Sequence, residues 1–155
     1  MKEIKITIEI KGEDKDNNNT NKNNSEEELK SFLGEEFIGY KGRDAIDKLM
    51  EERRGYIKDA FFRKEIGNIA LVWGDDKKGL QHIIKRRKEL KQPLGKLFDS
   101  LVEVIENGEI STEDNKLKIY YKRKNAIIGF SYDGHKLTFL VSAYYDYDYE
   151  KNTSW

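Results

Sequence analysis

Asp133-Gly134 stands between two runs of alternating apolar residues, and no other feature restricts the fold of this chain so tightly. An Asp-Gly pair in that setting predicts a two-residue turn with both residues at positive φ, which fixes the register of a hairpin. Tyr132 then opposes His135, Phe130 opposes Leu137, and Ile128 opposes Phe139. Reading Lys124-Asn125 as a second two-residue loop sets Tyr121 against Ile128, Ile119 against Phe130 and Leu117 against Tyr132. The two turns agree in gathering one apolar set on a common face. The opposite face carries Lys118, Tyr120, Lys122, Gly129, Ser131, Lys136, Thr138, Leu140, Ser142 and Tyr144. Solvated sheet faces ordinarily carry Lys, Thr and Ser. Tyrosines able to stack on unpaired bases, beside lysines able to hold phosphate, would instead make this an RNA surface. Gly129, between Tyr120 and Thr138, leaves an expected gap for close approach of a nucleotide.

Upstream of this three-stranded meander the pattern becomes helical. Ser25 is expected to cap a short helix that ends near Gly34. Ile46, Leu49 and Met50 predict a helix over Gly42 to Arg54, stopped by Gly55. A connecting segment with Phe61 and Phe62 leads to a strand at Asn68 to Trp73, a turn at Gly74 to Gly79 and a helix over Leu80 to Leu90. Pro93 opens a last helix whose buried face is Leu94, Leu97, Phe98, Leu101, Val102 and Ile105. Residues 1–10 alternate charged and apolar positions as a short strand or remnant segment, and 11–25 form an Asn-rich linker without a group to pack. A single domain is expected over 26–149, with a tail at 150–155. The class is α+β, with N-terminal helices followed by a small antiparallel sheet that ends in the three-stranded meander.

With 37% apolar and 37% charged residues, 155 residues suffice for one core. No segment is long and apolar enough to cross a membrane, and the alternating N-terminus lacks the apolar run of a secretory signal. A cytoplasmic protein is the expectation. Without cysteine, thiolate catalysis and thiolate zinc sites are excluded, and two distant histidines leave little for a conventional zinc site. No cofactor is expected. The zero net charge hides segregation: Lys77 to Lys96 holds eight Lys or Arg against Glu89 alone, whereas Asp99 to Asp114 holds six acids and no base. Such asymmetry suits a protein that binds a polyanion on one side, although balanced solvated helix faces would give the same count.

The basic helix contains His82, about 160° to 200° from its apolar stripe at 100° per residue, with Lys85 and Arg86 three and four residues later. A neutral proton carrier beside phosphate-binding cations suits phosphodiester chemistry; a surface histidine on an amphipathic helix is the plainer reading. Arg87 is expected to cover the core edge, and His135 to serve first as a turn residue.

The run Val72-Trp73-Gly74 through Gly79-Leu80-Gln81-His82-Ile83, with Gly108-Glu109-Ile110 and the closing strand Ser142-Ala143-Tyr144, resembles the phage-encoded barnase/EndoU/colicin/RelE-like nuclease domains, roughly from Phe37 to Tyr149. The resemblance implies helices packed on one sheet face, RNA bound on the other, and cleavage without metal through the 2′-hydroxyl. It implies catalytic roles for His82, Arg86, Thr138, Ser142 and Tyr144, and substrate binding by Lys85, Lys118, Tyr120, Lys122 and Lys136. The function implied is that of an endoribonuclease acting as a toxin or a phage or plasmid effector, with RNA and a cognate antitoxin or immunity protein as partners. A non-catalytic RNA-binding or protein-interaction module on the same fold, and a DNA-acting nuclease, are the alternatives. The Tyr/Asp alternation from Tyr144 to Tyr149 departs from the basic character expected beside RNA.

Overall fold

Apolar residues at helical and strand spacing resolve into ten elements over residues 22–146, the part described by this computed structural model. They are α1 (Lys22–Leu33), α2 (Gly42–Glu52), β1 (Tyr56–Arg63), β2 (Gly67–Val72), α3 (Leu80–Glu89), α4 (Leu94–Asn107), β3 (Glu109–Glu113), β4 (Lys116–Tyr121), β5 (Lys124–Tyr132) and β6 (His135–Tyr145). The strands make one sheet in the order β1-β2-β6-β5-β4-β3. Its pairs are antiparallel except β2 with β6, which run parallel and share the register pair Ala70↔Phe139. The short strand or remnant segment expected at 1–10 and the Tyr/Asp run beyond Asp146 lie outside the described residues.

Helix α4 organises the core. Leu97, Phe98, Leu101, Val104 and Ile105 recur at helical spacing and are buried on one side. They pack with Ala45, Ile46 and Leu49 of α2 and Leu80 and Ile83 of α3 against the sheet residues Ile57, Ile69, Leu71, Leu117, Ile119, Ala126, Ile128, Leu140 and Ala143. Burying each large aliphatic side chain there contributes roughly 1.5–3 kcal/mol. A second cluster lies on the reverse face, where Leu29 and Leu33 of α1 meet Tyr56, Ala70, Val72, Tyr132, Leu137 and Phe139. His135 holds α1 in place: its Nδ1 is 2.8 Å from Glu28 Oε2, and its ring stacks on Phe32 at 4.0 Å. The histidine after the turn thus fastens a helix. The rest of the reverse face is left to the site described below.

Several expected boundaries move. Helix α1 already runs at Lys22, so Ser25 lies inside it and not at its cap. Helix α2 stops when Arg53 turns left-handed at φ 58° and donates its N–H to Leu49 O, two residues ahead of Gly55. The segment with Phe61 and Phe62 is the strand β1; a register shift between Ile57 and Phe61 disrupts the period-two pattern that would have marked it. Strand β3, mostly exposed, adds a fourth member to the meander.

The register also changes. The Asp133-Gly134 turn pairs Tyr132 with His135 as expected, but the other turn is Lys122-Arg123, both at positive φ (49° and 67°), so Tyr121 faces Lys124, Ile119 faces Ala126 and Leu117 faces Ile128. Neither residue carries the Gly or Asn signal that such a turn usually shows. The slip is of four residues, an even number, so Leu117 and Ile119 keep their inward face. Strand β6 is bulged twice. Gly129 pairs with Phe139 and Ile128 with Leu140, then Ile127 with Ser142. Each bulge adds a residue to β6 and reverses its alternation. Between them Phe139 joins the reverse cluster and Leu140 the core, contrary to the expected faces; beyond the second bulge Ser142 and Tyr144 return to the reverse face. Phe130, expected in the core, is exposed.

Candidate nucleic-acid interface and active site

The loop that launches α3 is shaped to hold that helix against β6. Gly74 has φ 74°, and a Cβ there would lie 2.0 Å from the Lys78 carbonyl oxygen. Gly79 has φ 93° and sits against Val72 and Gly74, at 2.9 Å from Val72 Cγ2 for an added Cβ. The Asp75 carboxylate accepts the backbone N–H groups of Lys77 and Lys78 at 2.9 and 3.1 Å. Burial pushes the Asp75 carboxyl up, but these bonds and the Lys78 ammonium outweigh it and hold it below the ordinary value. Lys78 Nζ also reaches Asp133 at 3.1 Å and lies over the Tyr132 ring, fastening the loop to the β5–β6 turn. Gly74→Ala combines a left-handed backbone with a backbone clash and should cost about 2 kcal/mol. The check is the thermal midpoint, which should fall by several degrees.

Beyond the shared pair with β2, β6 presents its carbonyls to α3. Gly79 N–H donates to Val141 O at 2.9 Å, and Arg87 Nη1 donates to Ala143 O. Arg87 falls within the apolar stripe of α3 and is only 5% exposed. Its Cζ lies 5.9 Å from the Tyr144 ring centroid, and its buried Nε has no hydrogen-bond partner. Burial, and next the like charge of Arg86, lower its pKa. The expectation that Arg87 covers the core edge holds for its place; its contact with Tyr144 was not anticipated. An arginine in an apolar stripe is the signal that could have suggested it.

Two rows of side chains cross the open part of the reverse face. One is Glu109–Tyr120–Asn125–Tyr144, and the other is Ser111–Lys118–Ile127–Ser142. Lys118, Tyr120, Ser142 and Tyr144 therefore share a surface, as expected. Burial raises the Tyr144 pKa; Lys118 and Arg87 act against that shift, and Glu113 and Asp146 add to it, so four charges act on one phenol. Glu113, 3.9 Å from Lys118 Nζ, and the buried Asn125 were not among the expected site residues.

Other expected members fall elsewhere. Lys122 sits in the turn with Nζ 4.0 Å from Glu103 of α4 and 5.1 Å from the Tyr121 ring, on the helix side. Thr138 lies at the first bulge between Leu137 and Phe139, both of which join the α1 cluster, and does not share the Ser142 face. Lys136 pairs with Ser131 near the hairpin end, away from Tyr144. The gap expected over Gly129 is filled: an added Cβ would meet Val141 Cγ2 at 2.7 Å and Phe139 Cε1 at 3.4 Å.

On α3, His82 Nδ1 lies 2.8 Å from Asp76 O. A carbonyl only accepts, so Nδ1 carries the proton and, in the neutral ring, Nε2 is left as acceptor. Arg86 is on the same flank, about 40° from His82, with Nη1 2.9 Å from Glu89 Oε1. Lys85 Nζ is 3.6 Å from Asp76 Oδ2. These are exposed ion pairs, which typically contribute about 0–1 kcal/mol, and an arriving phosphate can compete for both cations. Among the described residues no group of three His, Cys, Asp or Glu side chains is arranged to hold a metal ion, and no helix is long and apolar enough to cross a membrane.

One family model, phage-Barnase-EndoU-ColicinE5/D-RelE like nuclease 1 (PBECR1), matches residues 60–150. The chain belongs to this family. Comparison with curated proteins and with solved structures yields no match. The PBECR1 region begins at Ala60 within β1 and takes in α3 and the whole meander, hence His82 and both reverse-face rows; α1 and α2 precede it. PBECR1 membership makes this a chain of a nuclease family, with nucleic acid as the implied substrate class.

Proposed function

We propose that this PBECR1 member is a metal-independent endoribonuclease that cleaves RNA by attack of the 2′-hydroxyl on the adjacent phosphate. The single observation that carries this reading is the 2.8 Å contact of His82 Nδ1 with Asp76 O: a carbonyl only accepts, so Nδ1 carries the proton and Nε2 is available as a base. In the proposed reaction Nε2 takes the 2′-hydroxyl proton, the 2′-oxygen bonds to phosphorus, and the bond from phosphorus to the 5′-oxygen breaks. Tyr144, kept protonated by burial, gives its proton to the departing oxygen. The products are a 2′,3′-cyclic phosphate and a free 5′-hydroxyl; the proton on His82 returns to Tyr144 through solvent. Arg86, Arg87, Lys85 and Lys118 supply positive charge around the phosphate, and Ser142 a hydroxyl. Tyr120 offers a ring for stacking. The absence of cysteine and the presence of only two histidines in the whole chain favour this route over a metal-centred one. The same reading makes the protein a toxin or phage or plasmid effector acting in the cytoplasm, held in check by a cognate inhibitor.

Incubating the protein with total RNA in EDTA tests the proposal. Fragments ending in 2′,3′-cyclic phosphate are the expected result, and intact RNA after long incubation at high protein concentration would overturn it. Binding offers a further check. Lys118→Ala should reduce the slope of log affinity against log salt by about 1, the value for one lost phosphate contact. Lys122→Ala should leave the slope unchanged, because that side chain is turned toward Glu103. Equal slopes for wild type and Lys118→Ala would remove Lys118 from the interface.

A further inference from the structure

Asn125 is 1% exposed, its Nδ2 donates to Asp146 Oδ1 at 3.3 Å, and its Oδ1 has no hydrogen-bond partner. A buried amide oxygen left in this state costs free energy unless something donates to it. The bond to Asp146 fixes the amide's orientation, so its oxygen is the atom left without a partner. Register puts Asn125 between Tyr120 and Tyr144 on the reverse face. The two tyrosines are rooted about 10 Å apart, across two strand spacings, so a flat ring that parts the side chains covering Asn125 would lie between them. Tyr120 is 38% exposed, and the Arg87 guanidinium lies over Tyr144.

We propose that Tyr120, Asn125 and Tyr144 form a nucleobase subsite in which the tyrosines flank the base and Asn125 Oδ1 accepts a hydrogen bond from an exocyclic amino group. The subsite rests on the ribonuclease reading and adds to it a preference for adenine, cytosine or guanine over uracil. Uracil has no amino group; its one ring N–H lies between two carbonyls, which would bring oxygen toward oxygen beside Asn125 and Asp146. Asn125 is a specificity residue in this arrangement and takes no part in proton transfer.

The test is calorimetric titration with the four nucleoside 3′-monophosphates, which are not cleaved. Wild-type protein should bind the adenosine, cytidine and guanosine 3′-monophosphates about tenfold more tightly than the uridine compound, the lower end of discrimination by base-edge contacts. Asn125→Leu should erase that difference. Tyr120→Ala, at an exposed position, should weaken all four about tenfold through lost stacking. Four equal wild-type affinities, or a preference that survives in a natively folded Asn125→Leu protein, would overturn the subsite. If Asn125→Leu fails to fold, the wild-type ranking and Tyr120→Ala decide the matter. Cleavage of total RNA without base preference in the titrations removes the subsite and leaves the ribonuclease reading intact; selective binding without cleavage does the reverse.

Discussion

His82→Ala is expected to lower single-turnover RNA cleavage about 10²-fold, the usual scale for losing one acid–base group. Arg86→Ala and Ser142→Ala should each cause a loss of similar order through weaker stabilisation of the phosphate. In the proposed mechanism the three act on one phosphate, so their effects should not multiply: the triple variant should be scarcely slower than the slowest single variant. Folding should survive each change. None of the three belongs to either apolar cluster, and such positions usually cost little stability. Cleavage at the full rate by His82→Ala would end the assignment of the base and move the search to Tyr144 and the reverse-face lysine.

The second large effect is expected from Arg87, where stability and activity should part. A buried cation whose Nε lacks a partner, with no carboxylate paired to it among the described contacts, carries a desolvation cost that its bond to Ala143 O only partly offsets. Arg87→Met retains much of the volume and removes the charge. Chemical denaturation should therefore show stability unchanged or raised by about 1 kcal/mol, since replacing buried charges with packed apolar groups is often neutral or favourable. Cleavage should nonetheless fall about 10²-fold, because the cation beside Tyr144 is lost. A variant that loses stability and retains activity would make Arg87 purely a structural anchor.

Much of the architecture was legible in the sequence because its signals were local. The Asp133-Gly134 dipeptide, the apolar face from Leu94 to Ile105 and the glycines at 74 and 79 each correspond to an observed element. What stayed hidden depended on geometry that leaves no local mark. Lys122 and Arg123 form a turn without the usual turn residues, and β1 is irregular where it pairs. The bulges of β6 are set by pairing across strands, so Thr138 and Leu140 were misplaced although Ser142 and Tyr144 were not. Two one-residue shifts restore the original parity. At the candidate site, His82 and the Lys118/Tyr120/Ser142/Tyr144 face were foreseen separately. The surroundings of Arg87 and Asn125 were not, because a buried polar residue in an apolar pattern reads as a small imperfection until its neighbours are known.

The anchoring of α3 has a consequence for how such a chain can diverge. The helix is tied to β6 through the carbonyls of Val141 and Ala143, groups that every amino acid supplies. Residue identity at those two positions can drift, within the limits of packing, while the helix stays aligned with Tyr144. Adding or deleting one residue between Phe139 and Val141 is different: it would slide both anchors by about 3.3 Å and exchange the two sides of the strand. Length is therefore the guarded property of this segment, and its spelling the permissive one.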